Sequence, residues 1–287
     1  MKWINIKNVL LNKLNILTFI PELLSRQKIV WLSYALPRWK KTNYNWGDDV
    51  NSVLVNIISS KVVIPYQCSL LKRTHYLCIG SIIQWYSDEN AVIWGSGLLY
   101  PVKSLKTPKQ VLAVRGPLTR ECLLKCGISC PPVYGDPALL FPRYYNPVIL
   151  KRYKFGIICH VSEINDIKQK FNLKNNCLFI NIKEYGKWTN FINQILSCEM
   201  ILSSSLHGII ISDAYSVPNL WCQFTNYVAE NNGFKFKDYY LSVKKNIDKP
   251  FILETSIDTC RLESLVKERW SKPIVDLDLL LEVCPFT

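Results

Sequence analysis

The segment Ser203-Ser204-Ser205-Leu206-His207-Gly208 is the part of this sequence best equipped for chemistry. It follows an apolar run and opens a helical pattern, which sets hydroxyls, unpaired backbone N–H groups and an imidazole at a helix N-terminus. Such a terminus binds phosphate or carboxylate through its free donors and the positive end of the helix dipole. The plainer alternative is a capping serine and a His207 with an ordinary surface partner. Gly208 favours the functional reading, because it leaves the approach to the imidazole uncovered. Arg115 stands after an apolar run and before Gly116-Pro117. Its guanidinium suits two-pronged recognition of carboxylate or phosphate, or equally an ion pair with a nearby acid. Asp136, between Gly135 and Pro137, reads as a helix cap or as a site residue with equal weight. Gly95-Ser96-Gly97 has the form of a phosphate-cradling turn but lacks the third glycine of a dinucleotide fingerprint, which argues against NAD. His160 closes another apolar run, and His75 precedes one and reads as structural.

These residues act together only if the chain folds them to one edge. Short apolar runs alternate with helical patterns from residue 29 onward, which predicts an α/β fold with parallel sheets and crossover helices. Strands are expected at Ile29 to Ser33, Tyr76 to Ile79, Ala91 to Trp94 and Val111 to Val114, then at Phe155 to Cys159, Cys177 to Ile182, Met200 to Ser203 and Asn219 to Gln223. Helical spacing marks the segment from Asn45 to Ile58, Pro117 to Gly127, Trp188 to Cys198, a helix opening at His207, and Ser256 to Trp270. The polar, proline-containing stretch Pro142 to Lys154 divides the chain into two Rossmann-like domains, 1–148 and 149–287, that face a cleft. Ligands of such sheets bind beyond the carboxyl ends of the strands, where these polar residues fall.

Lys and Arg number 35 against 22 Asp and Glu, a net charge of +13. That excess favours phosphate-bearing ligands or an anionic membrane face, but no basic run or binding motif accompanies it, so nucleic acid is not the expected partner. Eleven cysteines in 287 residues fall largely in apolar segments, which fits a reducing compartment rather than a disulfide framework, and none sits at metal-site spacing. No apolar stretch reaches the roughly 18 residues of a membrane-spanning helix. The apolar segment Val9 to Leu24 packs as a core helix or lies on a membrane surface.

The ordered set Asn45-Trp46-Gly47-Asp48, Val92 to Gly97, Arg115-Gly116-Pro117-Leu118-Thr119, Tyr134 to Leu140, Ser204 to Gly208, Asp213 to Pro218 and Lys235 to Tyr240 resembles the polysaccharide pyruvyl transferase family. The resemblance implies a glycosyltransferase B-like pair of domains, acceptor on the N-terminal side and donor on the C-terminal side, with the last helix packing back on the first domain. It implies transfer of pyruvate from phosphoenolpyruvate to a sugar of a surface or capsular polysaccharide precursor as a ketal, 4,6-linked on galactose, with no metal or redox cofactor. His207 would be the acid, Arg115 the anion anchor and Asp136 the base. Asn45, Asp48, Gly95, Ser96, Gly97, His160, Ser204, Ser205, Leu206 and Lys237 would bind substrate. Many members carry Arg where this chain has Ser205, so donor recognition falls here to other residues. The acceptor would be lipid-linked and the enzyme cytoplasmic, at the inner membrane face. A nucleotide-sugar glycosyltransferase and a non-enzymatic assembly scaffold are the alternatives.

Overall fold

The computed structural model describes residues 15–21, 28–35, 45–69, 71–170, 176–224, 233–253 and 259–287. Strands β1 (Ile29–Leu32), β2 (Val62–Pro65), β3 (His75–Leu77), β4 (Ala91–Trp94) and β5 (Gln110–Ala113) form one sheet, and β6 (Tyr153–Ile158), β7 (Cys177–Phe179), β8 (Cys198–Ser203), β9 (Asn219–Gln223) and β10 (Phe251–Ile252) form a second. Every pairing is parallel. This is the α/β class expected from the apolar runs, which parallel strands produce because both faces are covered.

The orders are β2-β1-β3-β4-β5 and β10-β9-β8-β6-β7. Counted within each half, both run 2-1-3-4-5, a doubly wound order whose direction of winding reverses beside the first strand. The first sheet therefore has its switch point between β1 and β3, and the second between β6 and β8.

The connecting helices are α1 (Trp46–Ser59), α2 (Ile83–Tyr86), α3 (Pro117–Lys125), α4 (Ile164–Lys170), α5 (Trp188–Leu196), α6 (Leu206–Ala214), α7 (Phe234–Ser242), α8 (Thr259–Arg269) and α9 (Leu277–Glu282). Helix α1 starts because the Asn45 side chain accepts from the Gly47 N–H and two acids, Asp48 and Asp49, occupy its first turn, a favourable place for negative charge. Val50 and Leu54 then turn one face inward, and left-handed Ser60 ends the helix. Helix α6 is buried from Leu206 to Asp213, as befits a helix apolar on all sides.

One core cluster joins Trp46, Val50 and Leu54 of the first half to Phe191, Ile201, Ile210 and Trp221 of the second. Leu262 and Val266 of α8 cover the far face of the second sheet. Residues Leu280, Cys284 and Phe286, beyond α8, pack instead with Val30, Leu32 and Trp94 of the first sheet. Several elements differ from the sequence reading, among them α9, which follows the helix expected to be the last. β2 and β10 were not anticipated, being four and two residues long, and β7 stops at Phe179. The apolar segment from Val9 lies largely outside the described residues, and among the described residues no helix is long and apolar enough to cross a membrane.

Candidate functional site

The two switch points meet at one cavity of about 300 Å³. Ala35 follows β1, Ser81 and Ile82 follow β3, His160 and Val161 follow β6, and Ser205, Leu206 and His207 follow β8; all line it. Asn45 and Asp48 from the start of α1, Trp85, Tyr86 and Leu99 from the first half, and Lys235 from the first turn of α7 complete the wall. Of the residues expected from sequence, the cavity thus gathers Asn45, Asp48, His160, Ser205, Leu206 and His207.

His207 sits on the N-terminal turn of α6, and its Nε2 is buried with no hydrogen-bond partner. Its ring packs on Gly47 across the two halves: a Cβ at 47 would lie 1.9 Å from His207 Nδ1. Gly47 is therefore the glycine that makes room for the imidazole. The sequence reading gave that task to Gly208, whose missing Cβ instead avoids Ser203 Oγ at 2.4 Å and Ile158 at 3.0 Å. Burial, reinforced by the charges of Lys235 and Arg115, holds His207 down to about 3, so the imidazole is neutral near pH 7. Ser205 precedes α6 without a side-chain capping bond. Ser204 lies behind the wall, accepting from the His160 N–H at 2.9 Å and donating to Glu163 at 2.5 Å. His160 is lowered to about 4 by burial and by Lys235.

Asp48 faces the same space. Asn45 Nδ2 donates to it at 2.8 Å, yet burial and neighbouring Asp49 raise it to about 7 against the opposing pull of Asn45 and Lys235. The N-terminus of α1 is pinned to the second half, since Trp46 N donates to Ile182 O and Trp46 Nε1 to Trp188 O, both at 2.9 Å. Tyr185 fixes Asp49 through a 2.7 Å bond.

Arg115 does not line the cavity. It is fully buried in an ion pair with Asp238 of α7, Nε to Oδ2 at 3.0 Å and Nη2 to Oδ2 at 2.9 Å, while Nη1 donates to Ser81 and Nη2 to Leu98 O. Thr119 adds its N–H and hydroxyl to the same carboxylate. Of the two roles open to Arg115 in the sequence, the structure displays the ion pair. The turn Gly95-Ser96-Gly97 also lies behind the wall: Ser96 donates to Gly80 O at 2.9 Å, and a Cβ on Gly97 would meet the Arg115 guanidinium. It is a bed for Arg115 rather than a lining turn. Asp136 caps the 3-10 turn after it by accepting from Ala138 N at 3.0 Å, and burial raises it to about 6. Lys237, expected as a ligand, is absent from the lining, and its neighbour Lys235 is present. The signal that favours 235 is helical spacing: three residues before Asp238, it shares that residue's face. His75, between Ser33 Oγ at 2.8 Å and Asp88 at 3.0 Å, is structural.

A neutral imidazole, a carboxyl raised to near neutrality and an ammonium around one cavity suit proton transfer next to an anionic ligand. Comparison with known proteins bears on the family rather than on this chemistry. The profile of polysaccharide pyruvyl transferase matches residues 14–223. The chain is 28% identical over 207 residues to an uncharacterized protein of Acanthamoeba polyphaga mimivirus, spanning 68% of this chain and 69% of that one. It is 26% identical over 213 residues to the succinoglycan biosynthesis protein ExoV of Rhizobium meliloti, spanning 70% of this chain and 62% of that one. Among solved structures, an uncharacterized protein of Klebsiella pneumoniae matches with a TM-score of 0.43 and 14% identity over 84% of this chain and 97% of that one.

Proposed function

The chain belongs to the polysaccharide pyruvyl transferase family, and from that premise we propose that it moves pyruvate from phosphoenolpyruvate to a sugar of a surface-polysaccharide precursor as a ketal. The paired sheets serve this as a glycosyltransferase B-like frame with the cleft at the joined switch points. The observation that carries the reading is His207 Nε2, buried at the cavity with no partner of its own.

The chemistry follows from the groups present. His207 Nε2–H gives a proton to the methylene carbon of the donor, and C2 becomes electrophilic. A sugar hydroxyl adds to C2 and loses its proton to a base; the C2–O bond to phosphate then breaks, and a second hydroxyl closes the ring, giving its proton to the departing phosphate. Asp48 suits the base better than Asp136, because it faces the cavity and titrates near neutrality. His207 is neutral until the donor arrives, chiefly because burial disfavours its charged form, with the charges of Lys235 and Arg115 adding to that. An incoming dianion reverses that field and raises the imidazole, so the acid is loaded only when there is donor to protonate.

General acid catalysis contributes about 10²- to 10⁴-fold. His207→Ala and His207→Asn are each expected to lose at least ~100-fold in phosphate release from phosphoenolpyruvate, with donor affinity little changed. Mass spectrometry of lipid-linked saccharide acceptors after incubation with phosphoenolpyruvate identifies the ketal. Release of nucleoside diphosphate from nucleotide sugars, with phosphoenolpyruvate untouched, would replace this reading with glycosyl transfer. We place the enzyme in the cytoplasm at an anionic membrane face on the strength of its +13 charge and the apolar stretch from Val9.

A further inference from the structure

Helix α5 buries Phe191, Ile192 and Ile195, so its other face is turned outward, and that face differs from the rest of the surface. Charged residues make up 20% of the sequence, and the outward faces of α3 and α8 carry Arg, Glu and Lys. Helix α5 contains no charged residue. At helical spacing it presents the carboxamides Asn190, Asn193 and Gln194, with Ser197 one turn further on. Together with Arg152 and Tyr153 at the start of β6 and with Glu184 and Tyr185 after β7, they line an open groove of about 670 Å³. Its lining shares no residue with the cavity around His207.

We infer that this groove holds a neutral saccharide and, resting on the proposed reaction, that the saccharide is the stretch of acceptor chain beyond the sugar that receives pyruvate. A carboxamide offers donors and an acceptor side by side, and a sugar hydroxyl does the same, so a row of amides matches a row of hydroxyls. Tyr153 and Tyr185 add rings with an apolar body and a polar tip. The single guanidinium and single carboxylate in the lining balance each other, so the groove has no excess positive charge for a phosphate. The amides are not all spent on the fold. Asn193 Oδ1 accepts from the Tyr145 hydroxyl at 2.8 Å, which fixes its amide and leaves Nδ2 as the donor. Gln194 Oε1 has no partner among the described residues, so its carboxamide is not tied down.

The groove also leads to the site. A crossover helix between parallel strands runs back against them, so α5 begins at the carboxyl ends of the strands, where the cavity lies, and finishes at the opposite edge. At that far end Ser197 O accepts from the N–H groups of Arg152 and Tyr153 at 2.8 and 3.1 Å. At the near end the Tyr185 hydroxyl donates to Asp49 at 2.7 Å, and Asp49 adjoins Asp48 of the cavity wall. From Asn190 to Ser197 the helix rises roughly 10 Å. The groove thus suits an extended ligand whose near end reaches the flank of the cavity.

The test is titration of the full chain, without phosphoenolpyruvate, with galactotetraose, cellotetraose, chitotetraose and the matching monosaccharides, followed by saturation-transfer NMR and calorimetry. At least one tetrasaccharide should bind more tightly than its monosaccharide. Each neutral hydrogen bond lost weakens binding about 2- to 10-fold, so the double variant Asn190→Ala with Gln194→Ala should lose about 5- to 100-fold. Asn190→Trp, at an exposed position, fills the groove and should abolish binding, with urea midpoints confirming that both variants fold. Phosphoenolpyruvate should not displace the bound tetrasaccharide. Failure of all three tetrasaccharides to bind wild type overturns the inference, as does wild-type affinity in both variants or displacement by phosphoenolpyruvate. A tetrasaccharide that the variants lose, yet that never gains pyruvate from phosphoenolpyruvate, leaves the saccharide groove standing and removes the pyruvyl reading. Pyruvylation with the same acceptor KM in wild type and both variants keeps the reaction and removes the groove.

Discussion

Gly47→Ala isolates the contact on which the imidazole depends. In an open helical position the change would be favourable by up to about 1 kcal/mol, since alanine loses less entropy than glycine on folding. Here the added Cβ would lie 1.9, 2.3 and 2.4 Å from Nδ1, Cγ and Cε1 of His207. Ordinary carbon contacts begin near 3.5 Å, so the ring must retreat by roughly 1.5 Å, and it is buried with little room to do so. Overpacking of this kind costs about 1–3 kcal/mol, which leaves a net loss of about 0–2 kcal/mol. A catalytic group displaced by about 1 Å loses on the order of 10²-fold in rate. The assay is a double-mutant cycle, with urea midpoints and turnover at saturating donor measured for Gly47→Ala in wild type and in His207→Ala. Without the ring, alanine at 47 should be neutral or stabilising by up to about 1 kcal/mol, a coupling of roughly 2 kcal/mol. Equal stability changes in both backgrounds, with wild-type turnover in Gly47→Ala, would refute the argument.

Asp48→Asn reports the electrostatic cost of the site. A carboxyl raised from 3.8 to about 7 in the folded state stabilises the fold while protonated; that contribution is full below about pH 3.8 and lost as pH rises through about 7. That rise corresponds to at most about 4 kcal/mol, which water at the cavity mouth reduces. Asp48→Asn should therefore gain about 1–3 kcal/mol over wild type in urea melts at pH 8 and nothing at pH 4, while turnover collapses; a gain that does not depend on pH would contradict the assignment. At the membrane, basic residues contribute about 1 kcal/mol each near an anionic surface and are screened by salt. Flotation with anionic vesicles should fall as salt rises, and recovery of all protein at the bottom of every gradient would remove the membrane placement.

Much of the frame is legible in the sequence because parallel strands are covered on both faces and appear as apolar runs, as β4, β8 and β9 do. The turn from Ser203 to His207 is legible for the same reason, since it must follow β8. What escapes is set by contacts between distant segments. The partner of Arg115 lies 123 residues away, and nothing local separates an anion anchor from half of an ion pair. The purpose of Gly47 depends on His207, on the other half of the chain, so the nearer Gly208 takes the credit in a sequence reading. Lys235 and Lys237 look alike until helix α7 gives them different faces. β10 is only two residues long, and β2 follows closely on the apolar end of α1 and closes on Pro65, so neither stands apart as a strand; without β2 the 2-1-3-4-5 order of the first half could not be drawn.

The packing of residues 280 to 286 against the first sheet also bears on how the protein is made. Trp94 Nε1 donates to the carbonyl of Leu280 at 2.9 Å, across a sequence separation of 186 residues, and Phe286 meets the same indole edge-on at 5.7 Å. A ribosome adding roughly 5–20 residues per second needs on the order of 10 to 40 seconds to travel from one partner to the other. Throughout that interval the indole of Trp94 and the face of β1 have emerged without the residues that will cover them. The first half cannot complete its core in the order in which it is synthesised. It must wait, with an apolar sheet face open to chaperones or to a neighbouring nascent chain, for the second half to be translated and for the segment after α8, with α9, to return.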